Sequence, residues 1–287
     1  MTPSNGHRAK AGRSERIVEP RPFLKWAGGK TQLLDHLLAR VPSVFNAYHE
    51  PFVGSGALFF GLVARYRLAK VYLSDNSAPL MDTYLALRDD VEAVIRRLKR
   101  HRHEKDYYYR LRNVNPATLS LVQRAARVIY LNKTCYNGLY RENRRGRFNV
   151  PFGRYRNPTI CDEANLRAVS AVLQDVSVKR QHYRSVMRRA QPGDFVYFDP
   201  PYWPRSRTAN FTAYDRNGFT WDDQTTLRDT CVELSQRRVY VMLSNSDTPL
   251  VRELYEGFNI DRVFATRSIN SRGDKRGKIA ELIIRNY

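Results

Sequence analysis

Phe195-Val196-Tyr197-Phe198 is an uninterrupted run of four apolar or aromatic residues, stopped at once by Asp199-Pro200-Pro201-Tyr202. A run that short reads as a strand buried on both faces, inside a sheet covered by helices. Further short strand-like stretches occur at Ala47–Glu50, Lys70–Leu73, Val239–Leu243 and Lys278–Ile284. Between them the period changes to that of a helix: Thr31–Val41 places Leu33, Leu34, Leu37, Leu38 and Val41 on one face, and Leu58–Tyr66 and Asp222–Arg237 are further helix candidates. Strands alternating with helices predict an α/β fold built on one mostly parallel sheet.

The alternation breaks from about residue 80 to 175, where helical stretches dominate, among them Val91–Lys99 and Leu119–Lys133. They are followed by an arginine-rich segment, Cys135–Arg156, whose Asn137-Gly138 pair and Gly146 signal turns. Charge is concentrated in the same region. Of a formal net charge of +21 over 287 residues, positions 91–190 carry +16. A regional excess of that size predicts a polyanionic partner rather than an evenly solvated surface.

Cys135, Cys161 and Cys231 are odd in number and widely spaced, which suggests neither a disulfide framework nor a metal site. The longest apolar stretch, Gly56–Ala64, is too short to span a bilayer. The first twenty residues lack the apolar core of a secretion signal and read as a flexible basic arm. The expectation is a cytoplasmic protein, monomeric in solution, with no membrane partner.

Glu50-Pro51-Phe52-Val53-Gly54-Ser55-Gly56 follows a strand and opens a helix, where glycines allow a ligand close to the backbone and leave helix amides exposed. Asp75 ends the next strand, nineteen residues after Gly56, where a carboxylate can accept hydrogen bonds from ribose hydroxyls. Together they predict a nucleoside-containing cofactor. Lys25-Trp26-Ala27-Gly28-Gly29-Lys30-Thr31 is not a P-loop, because the required first glycine is replaced by Leu24. What it offers is a glycine pair at a helix start with a lysine, suited to a small carboxylate or phosphate.

Asp199-Pro200-Pro201-Tyr202 could merely end a strand. Two prolines at the carboxyl end of a strand also hold an acceptor rigidly beside a flat ring, which suits a planar amine. An aromatic exocyclic amine is a poor nucleophile because its lone pair is delocalised. Asp199, whose reference pKa of about 3.9 leaves it ionised at neutral pH, can accept from the N–H, with help from the Pro200 carbonyl, and favour a more tetrahedral nitrogen. It is too weak a base to deprotonate a neutral amine first, so the proton leaves with or after transfer. Tyr202 can stack on the base, returning roughly 1–3 kcal/mol of the cost of extracting it from a duplex.

In their order, Phe23-Leu24-Lys25-Trp26-Ala27-Gly28-Gly29-Lys30, the turn after Glu50, Asp75 and Asp199-Pro200-Pro201-Tyr202 resemble the DNA adenine methylase (Dam) family. The similarity runs from about Arg21 to Tyr287 and includes Tyr136–Leu139, Arg145-Gly146, Phe148–Tyr155, Asn210–Tyr214 and Ser244-Asn245. The resemblance implies a Rossmann-like methyltransferase sheet with a helical, basic target-recognition insertion. It implies S-adenosylmethionine as donor, the 6-amino group of adenine in double-stranded DNA, within GATC, as acceptor, and no metal. By matching positions, Trp26, Lys30, Phe52, Gly54, Gly56, Asp75 and Asp199 would form the donor site, and Asp199, Pro200 and Tyr202 the catalytic corner. Lys25, Asn137, Leu139, Arg141, Pro151 and Tyr155 fall where GATC-recognising members contact bases or phosphates. The domains so implied are a basic arm at 1–20, a catalytic domain at 21–85 and 176–287, and a recognition domain at 86–175 that contains a hairpin at 135–156.

Arg141 is the best candidate for base readout, since a guanidinium can donate two bonds to a guanine edge. Arg144, Arg145, Arg147 and Arg154 suit phosphates. Cytosine carbon-5 chemistry is disfavoured, because its cysteine nucleophile typically follows a proline and these cysteines follow Thr134, Ile160 and Thr230. Methylation of the 4-amino group of cytosine stays open from the acid and ring alone. A silent DNA-binding protein would keep the basic insertion but be expected to lose Asp199 or the donor motifs, and both motif sets are intact.

Overall fold

The computed structural model describes residues 18–143, 145–205, 218–266 and 278–287. Most of the expected arm, Arg144 and the stretch Asn210–Tyr214 lie outside the described residues.

From the amino end the chain forms α1 (Leu34–Leu38), β1 (Tyr48–Glu50), α2 (Ala57–Val63) and β2 (Val71–Asp75). Four helices follow: α3 (Ala78–Leu98), α4 (Lys105–Asn113), α5 (Leu121–Thr134) and α6 (Glu163–Leu173). The chain then returns to alternation with β3 (Val176–Arg180), β4 (Phe195–Phe198), α7 (Trp221–Gln236), β5 (Tyr240–Ser246), α8 (Pro249–Leu254), β6 (Asn259–Thr266) and β7 (Lys278–Arg285).

Among the described residues the strands form one seven-stranded sheet in the order β3-β2-β1-β4-β5-β7-β6. The pairs from β3 through β5 are parallel, whereas β7 runs antiparallel to both β5 and β6. This is a Rossmann-like α/β fold. The chain order reverses between β1 and β4, so the crevice beyond their carboxyl ends is the natural ligand position in such a sheet. Every residue of β1 and β4 is buried; in β4 this follows from an unbroken apolar run, whereas in β1 the buried His49 and Glu50 are satisfied by Asp194 and by Tyr48. Alternation along β4 sends Phe195 and Tyr197 into one core and Val196 and Phe198 into the other.

Two strands, β3 and β6, carry weaker signals than the expected ones because each lies at a sheet edge and has one ladder neighbour. In β3 only Val176 and Val178 are buried. The helix expected over Thr31–Val41 is confined to α1. Its apolar face survives, with Leu33, Leu37 and Leu38 buried. Pro42 disfavours helical backbone at Val41, and Lys30 before the helix is turned into the cleft described below. Helix α3 bends at Asp90, which has φ −154° and ψ 70°, and whose carboxylate caps Ala93 N at 3.0 Å.

The helical insertion shares the core of one sheet face, since Leu73, Tyr84, Tyr108, Ile129 and Val150 belong to a single buried cluster. The expected 135–156 hairpin is tied down by antiparallel bridges at Cys135–Phe152 and Glu142–Phe148. Tyr108 donates to the Val150 carbonyl at 2.8 Å, and the Asn132 amide to the Lys25 and Gly138 carbonyls at 2.8 and 3.0 Å. Among the described residues no helix is long and apolar enough to cross a membrane.

Candidate active site

The turn after β1 approaches the start of α2 through two glycines in left-handed backbone, Gly54 at φ 48° and Gly56 at φ 71°. A Cβ on Gly56 would stand 2.7 Å from the Tyr84 hydroxyl oxygen, so a side chain is excluded by both backbone and space. Gly54 N donates to Asp75 Oδ2 at 3.2 Å and Ser77 N to Oδ1 at 2.9 Å. The acid expected at the end of β2 therefore also braces the glycine turn. Burial raises the Asp75 pKa against the pull of these amide donors.

Trp26, Lys30, Glu50, Gly54 and Asp199 line one cleft over the ends of β1 and β4. Lys30 is buried and places Nζ 2.8 Å from Asp199 Oδ1 while also donating to the Gly28 carbonyl. The lysine that the sequence offered to a small anion thus has an internal carboxylate as partner. The remaining expected donor-site residues stand apart from this lining. Phe52 stacks on Tyr183 with centroids 5.2 Å apart and meets Phe198 and Phe219 edge-on, while Gly56 packs against Tyr84 and Phe60.

The side chain of Asp199 is 17% exposed. Desolvation pushes its pKa up to about 6, with Lys30 opposing and Glu281 assisting the rise. Glu50, fully enclosed beneath it, is pushed by burial up to about 8 and accepts from the Tyr48 hydroxyl at 2.8 Å. Burial thus favours the neutral form more strongly at Glu50 than at Asp199, which has the Lys30 ammonium as a partner.

Rigidity at Asp199-Pro200-Pro201-Tyr202 comes from more than the prolines. Gln224 of α7 donates to the Pro201 carbonyl at 2.9 Å and is itself bonded by the Asn245 amide at 3.0 Å. Trp203 N donates to Asn245 Oδ1 at 3.1 Å, and Ser246 Oγ to the Trp203 carbonyl at 2.6 Å. The Tyr202 ring lies with Lys30 Nζ 4.6 Å from its centroid, and its hydroxyl donates to Glu281 Oε2 at 2.8 Å. Sequence reasoning missed Gln224 and Glu281, and gave Glu50 no task. A lone acid in an apolar terminal strand was the available signal for Glu281.

The hairpin reaches the same cleft through a ring. Tyr140 stacks on Trp26 with centroids 4.8 Å apart and planes 24° from parallel. Lys25 lies beside Gly138 and sets its Nζ 5.9 Å from the Tyr155 ring centroid. Asn137 adopts left-handed backbone at φ 58°, and Leu139, Arg141 and Pro151 are exposed. Arg141 Nε donates to Asn149 Oδ1 at 2.8 Å. The structure therefore gathers Lys25, Gly138 and Tyr155 at the hairpin root and sets Arg141 on its outer arm. Among the described residues no group of His, Cys, Asp or Glu is arranged to hold a metal.

The sequence matches the profile of the D12 class N6 adenine-specific DNA methyltransferases over residues 26–269. The chain belongs to this family. Its relatives include the type II methyltransferase M1.LlaDCHI of Lactococcus lactis subsp. cremoris, 43% identical over 94% of this chain and 96% of that protein. The DNA adenine methylases of Salmonella typhi and Escherichia coli K12 are 40% and 39% identical, each over 92% of this chain and 94% of its own length.

For a D12-class methyltransferase the acceptor is the N6 amine of adenine in DNA, which sets aside the cytosine readings and the silent DNA-binding protein. In this enzyme Asp199 follows β4, at the point where the strand order reverses. The charge excess over positions 91–190 suits a polyanion such as DNA.

Proposed function

We propose that the enzyme transfers the methyl group of S-adenosylmethionine to N6 of an adenine extruded from double-stranded DNA, within GATC. The observation that carries this reading is the rigid corner in which Asp199, paired with Lys30 at 2.8 Å, stands beside the ring of Tyr202. The cleft suits a cationic, nucleoside-bearing donor. It offers the Trp26 ring, the carboxylate of Asp199 and a glycine turn, braced from behind by Asp75, that lets a ligand approach the backbone. When bound, the donor supplies an electrophilic methyl carbon on a sulfonium.

Asp199 accepts a hydrogen bond from the adenine N6–H and turns the nitrogen lone pair toward the methyl carbon. The N–C bond forms as the S–C bond breaks, the bonding pair departing on sulfur. The cationic N6 then releases its proton to Asp199, whose pKa near 6 makes it a competent acceptor at neutral pH. Tyr202 stacks on the extruded base and offsets part of the unstacking cost. Residues 86–175 act as the recognition unit, with Arg141 reading a guanine edge and Lys25, Asn137, Leu139, Pro151 and Tyr155 completing the contact. Because Arg141 Nε is engaged by Asn149, readout falls to its two terminal amino groups.

The test is expression in cells lacking adenine methylation, followed by sequencing of modified bases. N6-methyladenine confined to GATC is expected. Methylation in another context would overturn the site assignment while leaving the chemistry intact.

A further inference from the structure

The ring of Tyr202 is held at two places by groups distant from it in sequence. Lys30 Nζ sits 4.6 Å from the ring centroid, and the hydroxyl ends on Glu281 Oε2 at 2.8 Å. Glu281 belongs to β7, where its backbone is in register with Ser246 of β5 on one side and Val263 of β6 on the other. That register fixes the acid in the middle of a three-strand antiparallel ladder, a stiffer mount than a loop provides. An aromatic side chain has two rotatable bonds, and an anchor at the far end of the ring restrains both. With a cation over the ring, a base can stack only on the face that the cation leaves, so the ring's orientation decides where the base lies.

We propose that Glu281 is a positioning residue for the target base: by accepting the Tyr202 hydroxyl it fixes the plane on which the extruded adenine stacks and so sets N6 against Asp199. This rests on the assignment of Tyr202 to the target base made above. The alternative acceptors are poorer. An anchor on a neutral group gives a weaker bond than one on a carboxylate, and the rise in the phenol's pKa, from burial first and then from Asp199 and Glu281, keeps the hydroxyl a donor. The antiparallel β7 would then do more than close the sheet, since it delivers an acid to the far side of the catalytic corner.

Three variants separate this role from a structural one. Tyr202→Phe keeps the stacking ring and deletes only the anchor. Glu281→Ala deletes the same bond from the other end, and Glu281→Gln retains an acceptor oxygen. Each is compared with the parent enzyme for kcat, for donor dissociation constant, and for fluorescence of a duplex carrying 2-aminopurine in place of the methylated adenine, which brightens on extrusion. Glu281→Ala and Tyr202→Phe are each expected to lower kcat about tenfold, the scale of a hydrogen bond to a charged group, and to dim the fluorescence change with donor affinity within about twofold. The double variant should lose no more than either single one, and Glu281→Gln, which keeps a weaker neutral acceptor, should fall between Glu281→Ala and the parent.

Unchanged kcat and fluorescence in Glu281→Ala, or losses that multiply in the double variant, would overturn the proposal. If Glu281→Ala fails to fold, Tyr202→Phe decides alone: parental behaviour refutes the anchor. Tyr202→Ala tests the underlying reading separately. Should it extrude and methylate like the parent, the assignment of Tyr202 to the base fails. Should it be impaired while Tyr202→Phe and Glu281→Ala are not, the assignment stands and the role of Glu281 falls.

Discussion

Asp199 is pulled in opposite directions, toward the neutral form by burial and toward the anion by Lys30, and burial prevails to leave its pKa near 6. A carboxylate that must accept an N–H works only when ionised. We therefore expect kcat/KM to fall about tenfold per pH unit below about pH 6, and Asp199→Asn to abolish methylation while DNA binding persists. A flat profile from pH 7 to pH 5 would remove Asp199 from the mechanism. Glu50 reports on stability instead. Its folded pKa of about 8 exceeds the ordinary 4.5, so between these values the folded state keeps a proton that the unfolded chain has released. Stability must then decline as pH rises through that window. Glu50→Gln, which still accepts from Tyr48, should raise Tm by a margin that widens from pH 5 to pH 8, and an equal margin at both would refute the buried neutral acid. Asp199 and Tyr202 were legible in the sequence because two prolines confine them locally. Glu281 was not, because its bond to Tyr202 spans 79 positions and depends on a strand register no local pattern encodes.

At the scale of elements, the same distinction between local and distant causes explains which segments could be read. β4 and α7 announce themselves through an unbroken apolar run and a capped amphipathic stretch, with Thr220 and Asp223 forming a reciprocal capping box. Edge strands such as β3 owe their state to a neighbour, and α1 is shortened by the cleft contact of Lys30 and by Pro42. The hairpin's span and turns were expected, but the contact that closes its root was not. Gly153 N donates to the Thr134 carbonyl at 2.8 Å, and a Cβ there would lie 2.8 Å from the Cys135 carbonyl oxygen and 2.7 Å from Tyr155 Cε2. Gly153→Ala must push the two arms apart. Loss of sequence-specific binding is expected, with donor affinity unchanged within about twofold, a separation that titration of each ligand would measure. Arg141→Ala should relax preference at one base pair by about 1–3 kcal/mol, and Asn149→Ala should do part of the same by freeing Nε. Equal weakening on all sequences would instead make Arg141 a phosphate contact.

Across the whole molecule, the cleft lies beyond the carboxyl ends of the central strands and the largest charge excess lies in the segment that carries the hairpin. The cleft lies over the carboxyl ends of β1 and β4, the hairpin reaches it through Tyr140 on Trp26, and positions 91–190 hold +16 of the net +21. Residues that precede strands, such as Arg67 and Lys70 before β2 and Arg238 before β5, lie at the opposite, amino ends of the parallel strands. If DNA tracks the insertion, charge should matter by place and not by total. Each phosphate contact releases condensed counterions and steepens the dependence of log K on log salt by about 0.9. Replacing the exposed Arg145, Arg147 and Arg154 together by Gln should therefore flatten the slope by about 2.7. Replacing Arg67, Lys70 and Arg238 by Gln removes the same formal charge, yet should leave the slope within about half a unit, since only screened long-range attraction is lost. Equal flattening in the two triple variants would mean that the duplex feels the net charge of the protein rather than a built surface, and the recognition role given to residues 86–175 would have to be abandoned.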